Sequence, residues 1–331
     1  MKYDKLMTKP LLSICIPTYN RAHYLKDCLE SVVCQFDDEE VYRQVEIVIS
    51  DNASEDNTEE LVKEYQRRFK NINYFKNKEN IGFDLNVVNS VEKASGMYCW
   101  YMGDDDAICN GGIKFMLDFL KGNKIAVLTV DTTIFTSLEE VIKKNIALHS
   151  RLFRSFLSYG EFFKEGNCAG ILSVFIFNRD LWLENVDKTG YASGWLYYEV
   201  ILKMISITDL KLVYCDYPIV YTKQDCDWVV NGAELNAFLN CKRLADKLTK
   251  FGYKKEIVRS AFNISPQRLC VVLLRAKGHD LECSIKNLFS IVHEFRSWLV
   301  YFPVISLVYF IPNPIIKFLR GVNKRYLKIK I

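Results

Sequence analysis

The sequence predicts an α/β fold: a mainly parallel sheet flanked by helices, followed by a helical C-terminal appendage. Three observations predict it. Short runs between residues 11 and 130 are apolar along their whole length, as strands buried on both faces are. Amphipathic stretches of helical length separate them, as right-handed crossovers require. Beyond residue 232 the strand-length runs stop, and apolar residues recur at helical spacing between polar faces.

LLSICIPT (Leu11–Thr18) is the first strand. Asn20 then reads as the N-cap of a helix in which Ala22, Leu25, Cys28, Leu29, Val32 and Val33 recur at helical spacing. VEIVIS (Val45–Ser50) is the second strand, broken by the turn-rich Asp51-Asn52-Ala53-Ser54 before a helix near Thr58–Phe69. INYFK (Ile72–Lys76) is a third strand, followed by a helix near Asp84–Ala94. MYCWYMG (Met97–Gly103) is a fourth strand that runs into Asp104-Asp105-Asp106. A helix near Gly112–Lys121, a strand at Ile125–Val130, a strand at Ile171–Asn178 and a helix at Trp195–Ile205 follow. The boundary between sheet and appendage falls near 225–235, which gives a sheet domain over 1–230 and a helical region over 231–331.

With 331 residues, half of them hydrophobic and a quarter charged, the chain can bury a core, and wholesale disorder is excluded. Eleven cysteines, an odd number without a Cys-x-x-Cys pair, point to a reducing compartment rather than a disulfide framework. Four scattered histidines exclude a His-rich metal site. The opening MKYDKLMTKP lacks the apolar core of a signal peptide, so a cytoplasmic protein is expected.

The net charge of +4 divides unevenly: residues 1–110 carry −7 and the remainder +11. No acid follows Glu294, whereas Arg296, Lys317, Arg320, Lys324, Arg325, Lys328 and Lys330 do. Beside this basic tail lies the uncharged SWLVYFPVISLVYFIPNPII (Ser297–Ile316). About 20 apolar residues are enough for a helical span, but Pro303, Pro312 and Pro314 argue against one. The expectation is an interfacial element over 297–331. It would set Trp298, Tyr301 and Tyr309 at headgroup depth and the basic tail on anionic lipid. Nucleic acid is disfavoured, because stacking aromatics are not interleaved with the basic residues.

In parallel α/β sheets, ligands bind beyond the carboxyl ends of the strands. Pro17-Thr18-Tyr19-Asn20-Arg21, Asp51-Asn52-Ala53-Ser54 and Asp104-Asp105-Asp106 all fall at such ends, and one crevice should collect them. Strand geometry carried to its end would point Asp104 and Asp106 the same way and Asp105 the other way. Adjacent carboxylates repel, and a divalent cation that also takes phosphate oxygens removes that strain. A solvated acidic loop capping the next helix is the structural alternative. Asp51 and Asn52 suit a base edge or a ribose, or else an Asx-type turn. Thr18 to Arg21 suit the same nucleotide, or else a helix cap. No G-x-G-x-x-G and no Walker lysine loop is present.

SICIPTYNRAHYLKDCLESV, EIVISDNASEDNTEELV and NIGFDLNVVNSVEKASGMYCWYMGDDD, in that order, resemble family 2 glycosyltransferases with the GT-A fold. The DNAS and GDDD spellings resemble the abequosyltransferase-like branch used in bacterial surface polysaccharides. The likeness is strong over 11–110 and thin over 111–225. It implies a nucleotide-diphosphate sugar as donor and Mn²⁺ or Mg²⁺ as cofactor. Pro17, Thr18 and Tyr19 would line the base pocket, with Asp51 and Asn52 reading the base, although many relatives carry a second Asp at the Asn52 position. Asn80, Gly82 and Asn86 would line the donor side together with Asp105. Asp104 and Asp106 would hold the metal, Asp106 as the direct ligand and Asp104 nearer the ribose.

The resemblance further implies inversion at the sugar carbon, with a carboxylate as base for the acceptor hydroxyl. Glu199, in Gly194-Trp195-Leu196-Tyr197-Tyr198-Glu199, is the nearest candidate; a partly exposed helix residue is its structural alternative. Trp195 suits a sugar face or a core. The acceptor implied is a glycan or a lipid-linked oligosaccharide at the inner face of the cytoplasmic membrane. A sugar-phosphate nucleotidyltransferase would need a glycine-rich basic loop after the first strand, and Pro17–Arg21 has no glycine. A degenerate, non-catalytic transferase acting as a membrane-bound assembly partner is the remaining rival, with the Asn52 departure in its favour.

Overall fold

The sheet grows from β1 (Leu12–Thr18) and β2 (Val45–Asp51), whose seven side chains each are all buried. Full burial is what continuous apolar runs produce when helices cover both faces. The structure, a computed structural model, describes residues 9–143, 152–156, 158–166, 170–191, 194–223, 233–262, 265–278, 285–295 and 300–322. It divides into two units: Met1–Tyr191 with Leu196–Asp225, and Ala192–Trp195 with Cys226–Ile331.

In the first unit, β1 leads to α1 (Ala22–Val33), α2 (Glu39–Gln44), β2, α3 (Thr58–Arg68), β3 (Ile72–Lys76), α4 (Phe83–Glu92) and β4 (Tyr98–Tyr101). Next come β5 (Ala107–Ile108), α5 (Gly112–Lys121), β6 (Ile125–Phe135), α6 (Leu138–Lys143), β7 (Phe153–Phe156) and α7 (Tyr159–Glu165). A 3₁₀ turn (Leu172–Val174), β8 (Phe175–Asn178), α8 (Arg179–Asn185), α9 (Leu196–Ile207) and β9 (Lys211–Lys223) complete it. Among the described residues, nine strands form one sheet in the order β3-β2-β1-β4-β8-β6-β9-β5, with β7 also on β9.

Pairing is parallel through β3, β2, β1 and β4 and again between β6 and β9. It is antiparallel where β8 meets β4 and β6, and where β5 and β7 meet β9. The expected α/β architecture is present, as a mixed sheet whose parallel part carries the three polar strand ends. Thr18 stands opposite Asp51 in the register, and Cys15 opposite Tyr101, the last residue of β4.

Three local expectations are corrected. Asn20 does not cap α1: it adopts φ 54, and its side chain accepts from the Glu55 amide at 2.7 Å. Asp56 instead accepts from the Ala22 amide at 3.0 Å, so the loop after β2 caps the helix after β1. Asn tolerates the left-handed region, and a partner across the gap outcompetes the local cap. The run Ile171–Asn178 is strand only from Phe175, because its first half winds into the 3₁₀ turn. Asp51 ends β2 rather than starting a loop.

At the opposite ends of the strands the buried Glu46 ties four segments together. Its Oε1 accepts from Ser13 Oγ at 2.6 Å, the Ser95 amide at 2.6 Å, Ser95 Oγ at 2.9 Å and the Gly96 amide at 3.2 Å. Its Oε2 accepts from Asn73 Nδ2 at 2.9 Å. Gly96 is required here, because a Cβ would stand 2.5 Å from Ser13 Oγ. Cys15, Cys28, Cys99, Cys109 and Cys215 are buried free thiols that pack as small hydrophobes.

The second unit contains α10 (Ala233–Leu248), a 3₁₀ turn (Thr249–Phe251), α11 (Lys255–Phe262), α12 (Pro266–Gly278), α13 (Ile285–Glu294), α14 (Phe302–Phe310) and α15 (Asn313–Val322). Leu239, Leu269, Leu273, Ile291, Ile305 and Tyr309 are central to its core. The buried Lys277 donates from Nζ to the Tyr309 carbonyl at 2.8 Å, near the C-terminal end of α14. Of the residues expected at headgroup depth, Tyr309 is therefore corrected to a core position, Tyr301 is exposed, and Trp298 lies outside the described residues. No described helix is long and apolar enough to cross a membrane, and the apolar run breaks at Ile311-Pro312.

Glu46→Ala strips five donors of one acceptor group and is expected to destabilise the first unit by on the order of 3 kcal/mol. A lower urea midpoint at unchanged slope is the expected reading. Glu46→Gln, which keeps one acceptor oxygen, should lose less.

Candidate functional site

Hydrogen bonds join the carboxyl ends of β1, β2 and β4. Thr18 Oγ1 donates to Asp104 Oδ2 at 2.7 Å, and the Asn52 amide donates to the Thr18 carbonyl at 2.9 Å. Thr18 is thus the hinge between the second and fourth strand ends. Its neighbour Pro17 is buried within β1, and Tyr19, just past the strand, is 42% exposed.

The strand-two end rests on a ladder of uncharged amides. Asn52 Nδ2 donates to Asn80 Oδ1 at 2.8 Å, and Asn52 Oδ1 accepts from the Ile81 amide at 2.9 Å and from Asn77 Nδ2 at 3.2 Å. Asn77 Nδ2 also lies 3.0 Å from Asn86 Oδ1, and Asn77 Oδ1 accepts from Asn89. Asn86 donates from Nδ2 to the Ser50 and Thr18 carbonyls at 2.9 and 3.3 Å. Asn80 Oδ1 further accepts from the Gly82 amide at 2.9 Å. Gly82 precedes α4 at φ 84, a left-handed conformation that favours glycine. Asn52, Asn80, Gly82 and Asn86 therefore act as one support under the strand ends.

Asp51 is fully buried. Its Oδ1 accepts from the Ser54 amide at 2.8 Å, an Asx-type turn, and its Oδ2 accepts from Tyr74 Oη. Burial, with the Asp51 hydrogen bond adding to it, pushes the Tyr74 phenol well above its ordinary value. Both Asp51 oxygens are engaged by the chain itself.

The three aspartates do not alternate as a continued strand would have them. β4 ends at Tyr101, and the Asp106 amide closes a turn onto the Gly103 carbonyl at 3.2 Å. Asp104 and Asp105 both face Arg21: Nη2 lies 2.6 Å from Asp105 Oδ2 and Nε 3.3 Å from Asp104 Oδ1. Asp106 is held separately by Ser173, whose Oγ donates to Asp106 Oδ2 and accepts from the Gly103 amide at 2.8 Å. Ser173 belongs to the 3₁₀ turn, which Trp100 Nε1 fixes through the Ser173 carbonyl at 2.8 Å. A Cβ at Gly103 would lie 3.0 Å from Asp105 and 3.1 Å from Asp106, so the missing side chain leaves room for the acids to fold round the turn.

Asp104 and Asp106 are 5% and 8% exposed, which rules out a solvated acidic loop. Burial pushes both carboxyls up to about 7. For Asp104, Arg21 opposes the rise while Asp105 adds to it; for Asp106, Asp105 adds to it while Ser173 opposes it. Arg21 is itself raised: burial works against its charge, and Asp104 and Asp105 outweigh that. Hard oxygen donors with uncompensated negative charge match the ligand preference of Mg²⁺ or Mn²⁺. Among the described residues no group of three metal-ligating side chains converges. A cation at this point would take at most the Asp104–Asp106 pair from the protein.

Glu199 is placed by other means. It lies buried in the first turn of α9, and the Leu196 amide at the start of that helix donates to Asp84 Oδ1 of α4 at 3.0 Å. The partly exposed helix position is thereby excluded. Trp195 donates from Nε1 to the Ala237 carbonyl at 2.9 Å within the second unit. Sequence reasoning missed Ser173, hidden in a run read as uniform strand, and Asp84, read only as the start of a helix. The motif around Arg21 was visible, but its pairing with the aspartates was not.

A model of "Glycosyl transferase family 2" matches residues 13–182, a little over half of the chain. The chain is 41% identical over 111 residues to abequosyltransferase RfbV of Salmonella typhimurium, covering 33% of this chain and 32% of that one. It is 30% identical over 109 residues to the GalNAc(5)-diNAcBac-PP-undecaprenol beta-1,3-glucosyltransferase of Campylobacter jejuni, covering 33% and 34%. The matches thus span about a third of the length of these two relatives. S. aureus TarS 1-349, solved with UDP-GlcNAc, superimposes with a TM-score of 0.58 at 15% identity, covering 86% of this chain and 79% of that one. Mannosyltransferase PcManGT from Pyrobaculum calidifontis, solved with GDP-Man and Mn²⁺, gives 0.56 at 12% identity, covering 98% and 89%. These two share the GT-A-type fold. The family match runs from β1 into α8 and takes in all three joined strand ends, and the chain belongs to glycosyl transferase family 2.

Proposed function

We propose that the protein is an inverting, metal-dependent glycosyltransferase that moves a sugar from a nucleotide-diphosphate sugar to a hydroxyl of a lipid-linked glycan acceptor. The observation that carries this reading is the pair of buried carboxylates, Asp104 and Asp106, at a strand end hydrogen-bonded to the first strand. Two relatives support the donor class, since TarS was solved with UDP-GlcNAc and PcManGT with GDP-Man and Mn²⁺. The name of the Campylobacter relative, with its PP-undecaprenol substrate, supports the lipid-linked acceptor.

In this reading the exposed Tyr19 ring and the backbone around Pro17 and Thr18 receive the base. Asp51 and Asn52 shape the base pocket through the turn and ladder they hold. The amide ladder through Asn80, Gly82 and Asn86 fixes the donor side, and Asp105 keeps Arg21 beside it. Asp104 and Asp106 would hold Mn²⁺ or Mg²⁺, which when bound neutralises charge developing on the departing diphosphate. Glu199 takes the proton from the acceptor hydroxyl as that oxygen attacks the sugar carbon opposite the leaving group. Release of nucleoside diphosphate from a panel of nucleotide sugars, with Mn²⁺ or Mg²⁺, tests the reading. Asp106→Ala is expected to abolish release and keep the fold, and Glu199→Gln to reduce kcat by at least about a hundredfold. No release from any donor by the folded wild type would favour a non-catalytic role.

Protonation gives a second test. Between the ordinary carboxyl range and about 7, the folded protein binds more protons at Asp104 and Asp106 than the unfolded chain does. Their contribution to stability is therefore present at low pH and is lost as pH rises through that window. In chelator, wild type should lose more of its Tm between pH 5 and pH 8 than Asp106→Asn does. Added Mn²⁺ should restore the wild type at pH 8.

The second unit supports peripheral attachment to the inner face of the cytoplasmic membrane. Val304, Leu307 and Phe310 on α14 and Ile315 and Phe318 on α15 are exposed, with Lys317 among them and the acid-free basic tail following in sequence. Such a surface suits the boundary between headgroups and acyl chains of an anionic bilayer. Replacing the exposed Leu307, Phe310 and Phe318 by Ser, which leaves the core residues Ile305 and Tyr309 in place, is expected to move the protein from the membrane to the soluble fraction; unchanged partition would overturn the attachment.

A further inference from the structure

The three aspartates are not equivalent, and Arg21 makes the difference. Its Nη2 makes a tight ion pair with Asp105, at 2.6 Å, while its Nε stands 3.3 Å from Asp104 without the alignment of a hydrogen bond. The guanidinium carbon lies 4.5 Å from the centroid of the Tyr24 ring, which holds the side chain in place from below. Lys223 lies 4.8 Å from the centroid of the same ring but pairs with Asp27, at 3.3 Å, and so is committed elsewhere. Asp106 takes its hydrogen bond from Ser173. Arg21 thus faces two of the three aspartates, and with all three ionised the four groups carry a net charge of −2, equal and opposite to that of one divalent cation.

We propose that Arg21 is a positioning residue that selects which aspartates meet the metal: it ties Asp105 away and leaves Asp104 and Asp106 as the coordinating pair. Its charge also holds down the affinity of the free protein for the cation. Asp104 is the shared group. Its loose contact with Nε can be given up without breaking the Asp105 pair, and Thr18 keeps it oriented meanwhile. The inference rests on the metal reading above and adds to it a division of labour within the acidic run.

Titration of the full chain with Mn²⁺ alone, followed by the loss of the free-ion electron paramagnetic resonance signal, tests it without reference to turnover. Arg21→Gln should bind Mn²⁺ about tenfold more tightly than wild type, the size expected of one nearby charge acting on a dication through a screened site. Arg21→Lys, which keeps the charge, should bind as wild type does. The double variant Arg21→Gln/Asp105→Asn removes the pair as a unit and keeps the net charge of the site. It should hold Mn²⁺ at least as tightly as wild type, and it serves if the single variant fails to fold. Unchanged or weaker binding in folded Arg21→Gln, or loss of binding in the double variant, overturns the role of Arg21 while leaving the metal reading intact. If wild type and every variant leave Mn²⁺ free, the metal reading falls, and this inference with it.

Discussion

Negative charge crowded at the carboxyl end of β4, an inner strand of the sheet, is the constraint round which the first unit is built. Asp104 and Asp106 are buried on either side of the half-buried Asp105, so their repulsion cannot be relieved by moving into water. Each is answered from a different part of the chain: Asp104 by Thr18 of β1, Asp105 by Arg21 at the start of α1, Asp106 by Ser173 of a turn about seventy residues further on. The long connection from β4 through β6 to β8 therefore closes the site as well as extending the sheet. Without the Ser173 turn, the third carboxylate would be buried with nothing to receive it.

Much of this was legible in the sequence, and what was not has a common cause. Continuous apolar runs located β1 and β2 to within a residue, because burial on both faces leaves an unambiguous pattern. The three polar strand ends were visible for the same reason, each marking where an apolar run stops. The partners of those ends were not visible. Asn20 looks like an N-cap on its own, and only the presence of Ser54 and Glu55 across the gap draws it into a left-handed turn. Ser173 sits in an apolar stretch that gives no sign of a polar task. Local pattern shows what a residue is able to do, whereas pairing between residues thirty or seventy apart depends on the assembled sheet.

Polar support in the two halves of the strands follows different chemistry. At the amino ends the carboxylate of Glu46 gathers hydroxyl and amide donors from three other segments. At the carboxyl end of β2 the same task falls to neutral amides, from Asn52 through Asn77 to Asn86 and Asn89. Neutral supports add no charge to a strand end that already buries the Asp51 carboxylate. Asn52 in place of an acid thus agrees with its surroundings. Its position is also consistent with a site whose negative charge is concentrated at β4.

The amide ladder has a consequence for how this surface changes over time. Because Asn52 spends both ends of its side chain on neighbours that are themselves spoken for, a replacement there propagates to Asn80, Ile81 and Asn77 at once. Substitution one residue at a time is therefore costly at this strand end, whereas compensating sets of changes, or exchange of the exposed Tyr19, cost less.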